Sequence, residues 1–119
     1  MAFSPNDYVC DSVWSAASVT NSAQDVSTNV NNLIDGFNIT NTTGAIAYLQ
    51  VFDLAATNVS LGSTVPKFFL GVNAGTSMQI FFPKPIKMTT GFSIASTTTS
   101  TGSTGAIQGV TTFFGSAPA

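Results

Sequence analysis

The stretch Lys67-Phe68-Phe69-Leu70-Gly71-Val72-Asn73-Ala74-Gly75-Thr76-Ser77-Met78-Gln79-Ile80-Phe81-Phe82-Pro83-Lys84-Pro85 decides how the chain is read. Two runs of aromatic and aliphatic residues flank a short Asn-Ala-Gly turn signal, the pattern of strand, turn and returning strand. Pro66 opens the first strand, where its missing N–H does least harm, and that strand runs to about Asn73. The partner runs from Thr76 to Phe82, and Pro83-Lys84-Pro85 is expected to end it, because prolines cannot donate to a sheet ladder. The two are expected to pair as a hairpin.

Side chains of a strand alternate between its faces. Phe68, Leu70 and Val72 therefore share one face, with Lys67, Phe69 and Gly71 on the other. Met78, Ile80 and Phe82 likewise oppose Ser77, Gln79 and Phe81, and Phe113-Phe114 repeats the doubled ring. Only one ring of each doublet can enter a single sandwich core, so the other must face outward or lie beneath another segment. Phe69, Phe81, Phe113, Phe114 and the single Trp14 are the candidate subunit-contact residues. The competing reading places the outward rings under the N-terminal segment.

Working outward, Leu33 to Asn41 reads as a strand, Asn41-Thr42-Thr43-Gly44 as a turn, and Ala45 to Asp53 as a second strand pairing with the first in a hairpin. Leu54 to Thr64 reads as a loop, and Lys87 to Thr97 and Ala106 to Phe114 as two further strands. Between those two lies the polar loop Thr98 to Gly105, and Gly115 to Ala119 is a tail. Residues 1–31 form an N-terminal segment or arm with strands at Tyr8 to Trp14 and Val26 to Val30, and residues 32–119 the sandwich proper. Helix is disfavoured where Thr, Val, Ile, Phe, Ser, Asn and Gly dominate. Seven or eight short strands with turns every 8 to 12 residues predict an all-β fold, a single antiparallel β-sandwich or jelly-roll-like domain.

Only 7 % of the 119 residues are charged, against about 25 % in ordinary globular chains. Hydrophobic residues make up 44 %, enough to offset chain entropy, so the chain folds. A surface with so little charge favours association, which suits an assembly subunit. Three lysines, no arginine and a net charge of −2 argue against nucleic acid as a partner. No run approaches the roughly 18 apolar residues of a membrane helix. The N-terminus carries no signal-peptide pattern, and the lone Cys10 excludes an internal disulfide, in keeping with synthesis in a reducing cytosol.

The chain contains no His and no Glu, the residues that carry most acid–base catalysis, and no enzymatic activity is expected. Asp7, Asp11, Asp25, Asp35 and Asp53 lack the spacing of a calcium loop and read as turn or cap residues. Cys10 has no His with which to form a nucleophile pair. The sequons at Asn38, Asn41 and Asn58 are chance matches in a Ser/Thr/Asn-rich chain. No cofactor or metal is expected.

Three stretches stand out as a set: Tyr48-Leu49-Gln50-Val51-Phe52-Asp53, Val59-Ser60-Leu61-Gly62-Ser63-Thr64-Val65-Pro66-Lys67, and Ile94-Ala95-Ser96-Thr97-Thr98-Thr99-Ser100-Thr101-Gly102-Ser103-Thr104. In this order they resemble small virion proteins of tailed bacteriophages, with their strand ending in Tyr/Phe-Asp, their LGTTVP-type loop and their Thr-rich TTTATGST-type loop. The resemblance spans about residues 36 to 114 and leaves the first 31 outside. Together with the low charge and the doubled rings, it implies a capsid decoration or cement protein. Such a protein is made in the host cytoplasm, forms a homotrimer, and seats on the major capsid protein at the capsid surface of the virion. A tail, baseplate or fibre-attachment component needs the same associating surface. A carbohydrate-binding module shares the sandwich but is weakened here by the single Trp14 and the scarcity of charged sugar partners.

Overall fold

The computed structural model describes residues 12–116. It contains eight strands: β1 (Ser12–Val19), β2 (Gln24–Ser27), β3 (Asn32–Asn41), β4 (Ala47–Phe52), β5 (Phe68–Val72), β6 (Thr76–Met88), β7 (Phe92–Thr97) and β8 (Gln108–Ser116). A single 3₁₀ turn, Ala56–Asn58, interrupts the loop between β4 and β5. The all-β expectation holds, and its strand count is met at the upper figure.

The strands form two four-stranded sheets, sheet A in the order β1-β8-β3-β6 and sheet B in the order β2-β7-β4-β5. Each pairing is antiparallel: β1 with β8, β2 with β7, β3 with β6, β4 with β5. This is one long hairpin whose first strand meets its last and whose middle strands meet each other. Folding it over so that β3 also pairs with β8, and β4 with β7, produces the eight-stranded jelly roll.

Two hairpin expectations fail on this topology. Leu33 to Asn41 and Ala45 to Asp53 are strands at nearly the expected bounds, yet they lie in different sheets. The same is true of β5 and β6: Asn73-Ala74-Gly75 is a turn, with Gly75 at φ 67°, but it carries the chain from sheet B across to sheet A. Both pairs have inner faces rich in apolar side chains, and those faces bury each other more completely when stacked than when set side by side. The prolines do not end their strand either. β6 continues through Pro83 and Pro85 to Met88, its ladder with β3 interrupted between Gly36↔Phe81 and Ile34↔Ile86. It is an edge strand, so the missing N–H groups break no second ladder. The expected strand Lys87 to Thr97 is accordingly cut by a turn at residues 89–91.

Three doublets split as the pleat requires. Phe68, Phe82 and Phe114 turn inward and pack against the core, while Phe69 and Phe81 stay exposed. Phe37, fully buried on β3, is the hub: its ring meets Phe68, Phe82 and Phe92 edge-on at 6.2, 6.3 and 6.2 Å. Phe92 in turn meets Phe114 at 5.7 Å. Ile34, Ile39, Leu49, Val51, Ile94 and Val110 fill the layer around them. Edge-to-face ring pairs contribute about 0.5–1.5 kcal/mol each beyond the area they bury. Phe37→Ala removes three such contacts and leaves a void between the sheets, so it should lower the unfolding free energy by about 3–5 kcal/mol in a denaturant titration. A loss below about 1 kcal/mol would show that Phe37 is not the hub.

Candidate functional site: aromatic patches on the sheet exteriors

On the outer face of sheet A, the register sets Val13 opposite Phe113, Phe113 opposite Gly36, and Gly36 opposite Phe81. One row thus crosses all four strands. Gly36 makes it possible: a Cβ there would run into the Ile80 carbonyl oxygen and lie 2.8 Å from a ring carbon of Phe81. Without that Cβ, the Phe81 ring reaches across β3, and its centroid lies 5.7 Å from that of Phe113, with the planes tilted by 32°. Phe81 remains 56 % exposed and Val13 64 %.

Two residues further along each strand the row is Ser15, Thr111, Asn38 and Gln79, and beyond it come Gly109, Thr40 and Ser77. Hydroxyl pairs tie neighbouring strands there, Ser15 with Thr111 at 2.9 Å and Thr40 with Ser77 at 3.1 Å. None of these positions is charged; the charged residues of β3 and β6, Asp35, Lys84 and Lys87, all lie on the other side of the aromatic row. An antiparallel sheet facing water ordinarily presents polar side chains there, with charges of both signs interspersed among them.

Sheet B carries a smaller patch. Phe69, 47 % exposed, stacks edge-on against Tyr48 at 6.0 Å. Loops cover more of this exterior. The buried Gln50 side chain donates from Nε2 to Thr97 Oγ1 at 2.7 Å and to the Gly102 carbonyl at 3.0 Å, pinning the Thr-rich loop against the sheet. A Cβ on Gly62, in the loop between β4 and β5, would come within 3.6 Å of Ser103. The loops that carry Gly62 and Ser103 therefore meet in space.

Of the five candidate contact residues, the structure brings Phe81 and Phe113 together on sheet A and puts Phe69 on sheet B. Phe114 and Trp14 are half-buried on the core side. The sequon residue Asn41 is closed off, its side chain buried and donating to the Ala45 and Val72 carbonyls. Cys10, Asp7 and Asp11 lie outside the described residues.

Asp53, read only as one of several turn residues, has a defined task. Its carboxylate accepts from the backbone N–H groups of Thr89, Thr90 and Gly91 at 3.1, 2.8 and 3.2 Å, and from the Thr89 hydroxyl, holding the turn between β6 and β7. Lys67 Nζ stands 3.9 Å away, a loose pair that adds little. Partial burial works to raise the pKa of Asp53, but the donors at Thr90, Thr89 and Gly91 outweigh it and hold the carboxyl below its ordinary value. No local signal could show this, because the donors lie 36 to 38 residues away.

Among the described residues there is no group of His, Cys, Asp or Glu arranged to hold a metal ion and no enclosed pocket. What the fold and its exterior define is a jelly roll whose sheet A exterior carries an aromatic row, uncharged on one side of it and bearing the lysines of β6 on the other. No family model, curated protein or solved structure matches the chain.

Asp53→Ala should cost on the order of 1–3 kcal/mol at neutral pH, the value of hydrogen bonds to a charged group. Because the folded-state pKa lies below the unfolded one, the stability supplied by the carboxylate is present above about pH 4 and is lost as pH falls through the folded value. Thermal melts of wild type and variant between about pH 7 and 2 should therefore converge at the acid end; parallel curves would contradict the turn-holding role.

Proposed function

We propose that this chain is a structural subunit of a virion, a decoration protein that adds to the head of a tailed bacteriophage and ties capsid proteins together. The observation that carries the reading is the row Val13, Phe113, Gly36 and Phe81, bordered on one side by the uncharged rows of sheet A that begin at Ser15, Thr111, Asn38 and Gln79. The centres of protein interfaces are depleted in charge and enriched in aromatic residues, and a few clustered anchors supply most of their binding energy. Phe81 and Phe113, in contact and fixed on strands of a rigid sandwich, have the character of such anchors. The jelly roll itself serves capsid and lectin domains alike, so the weight falls on the surface rather than on the fold. The resemblance of residues 48–53, 59–67 and 94–104 to phage virion proteins supports the major capsid protein as the partner.

Purified protein should co-sediment with preformed heads and raise the temperature at which they release DNA. The Phe81→Ser and Phe113→Ser double variant should bind at least about tenfold more weakly while keeping its melting temperature within a few degrees. Association with tails alone would transfer the protein to the tail or baseplate, and binding on a glycan array without binding to heads would move it to a carbohydrate-binding module.

A further inference from the structure

The edge strands of the two sheets, among the described residues, are not alike. β6 carries Pro83 and Pro85 together with Lys84 and Lys87, and its ladder is broken opposite β3. β5 is five residues long and preceded by Lys67, and β2 is four residues long with Asp25 in it, the Asp25 carboxylate engaged by the Ala56 N–H at 2.7 Å. Short length, proline and charge are the means by which sheet edges are kept from pairing with other chains. β1 has neither proline nor charge, and its one bulge is confined to its last residues. It runs Ser12-Val13-Trp14-Ser15-Ala16-Ala17-Ser18-Val19, eight residues without proline or charge, and the only strand beside it among the described residues is β8. Its pairing with β8 is regular from Ser12 to Ala16 and shifts only before Val19.

We propose that β1 is a pairing edge whose occupant is the β1 strand of a second copy of this chain, antiparallel about a two-fold axis, so that two sheets A join into one continuous eight-stranded sheet. The choice of a second copy rests on charge. In a two-fold interface residue i faces j while j faces i, so any charged position near the axis confronts its own kind. A strand with no charge at any position meets no such penalty, and the small exposed Ser15, Ala17 and Ser18 leave room for a neighbouring backbone. Continuity points the same way. The apolar row of sheet A ends at this edge on Val13, 64 % exposed, and Trp14 is half-buried on the core side of the same strand. A second copy extends the sheet past both. This inference goes beyond the virion reading and stands without it.

Sedimentation of the full chain over a concentration series provides the test, with the Ser15→Lys/Ala17→Lys double variant and Phe81→Ser alongside. Wild-type mass should climb from 12.3 kDa towards twice that value as concentration rises. The lysine variant, with like charges facing across the axis, should stay monomeric with unchanged strand circular dichroism and melting temperature. Phe81→Ser, at the opposite edge, should associate as wild type does. Ala17→Lys alone serves if the double variant fails to fold. A wild type that is monomeric throughout, a closed trimer, or an oligomer that survives the lysines but dissociates on Phe81→Ser would each overturn the proposal. The last of these outcomes would instead leave the aromatic face as the contact.

Discussion

Two neighbouring side chains of a regular strand point to opposite faces, and in this chain that restriction falls on three pairs of phenylalanines. The sandwich has one interior. Phe68, Phe82 and Phe114 enter it and gather, directly or through Phe92, on the Phe37 ring, and their neighbours Phe69, Phe81 and Phe113 are thereby committed to the outside. The core and the exposed patches are thus two consequences of one geometry. Moving a ring from the surface to the interior would require a shift of register by one residue, which would turn every other side chain of that strand the wrong way.

This explains why the faces could be read from the chain and the partnerships could not. Alternation is local: Ser77, Gln79 and Phe81 are separated from Met78, Ile80 and Phe82 by position alone. Whether the chain reverses within a sheet or crosses to the other one depends on which apolar faces cover each other best, and Asn73-Ala74-Gly75 looks the same in both cases. Prolines 83 and 85 misled for the same reason, since their cost is set by whether a strand has one neighbour or two. That Phe81 and Phe113 touch depends on β3 lying between them and on Gly36 being bare, a relation spread over residues 36, 81 and 113. Asp53 belongs to this class too, a short-range hydrogen-bond acceptor serving a turn distant in sequence.

The scarcity of charge links the interior to the surface. With three lysines in the whole chain, hydroxyl pairs such as Ser15 with Thr111 and Thr40 with Ser77 take over the cross-strand role that ion pairs play elsewhere. Such pairs give a surface that neither repels its own kind nor depends on salt. Buried amides do comparable work beneath the loops, where Gln50 fixes the Thr-rich segment and Gln108 reaches Ser96 Oγ at 2.9 Å.

The nested pairing of first strand with last has a consequence for synthesis on the ribosome. β8 lies in the middle of sheet A, between β1 and β3, so until the C-terminal strand emerges that sheet is split, with β1 isolated and β3 paired on one side only. Sheet B can close as soon as β7 is made. The nascent chain therefore passes through a stage in which sheet B is complete while its apolar face is covered only in part, by β3 and β6, until β8 joins them. High sequence separation between partners also makes the closing step slow relative to helical domains of similar size.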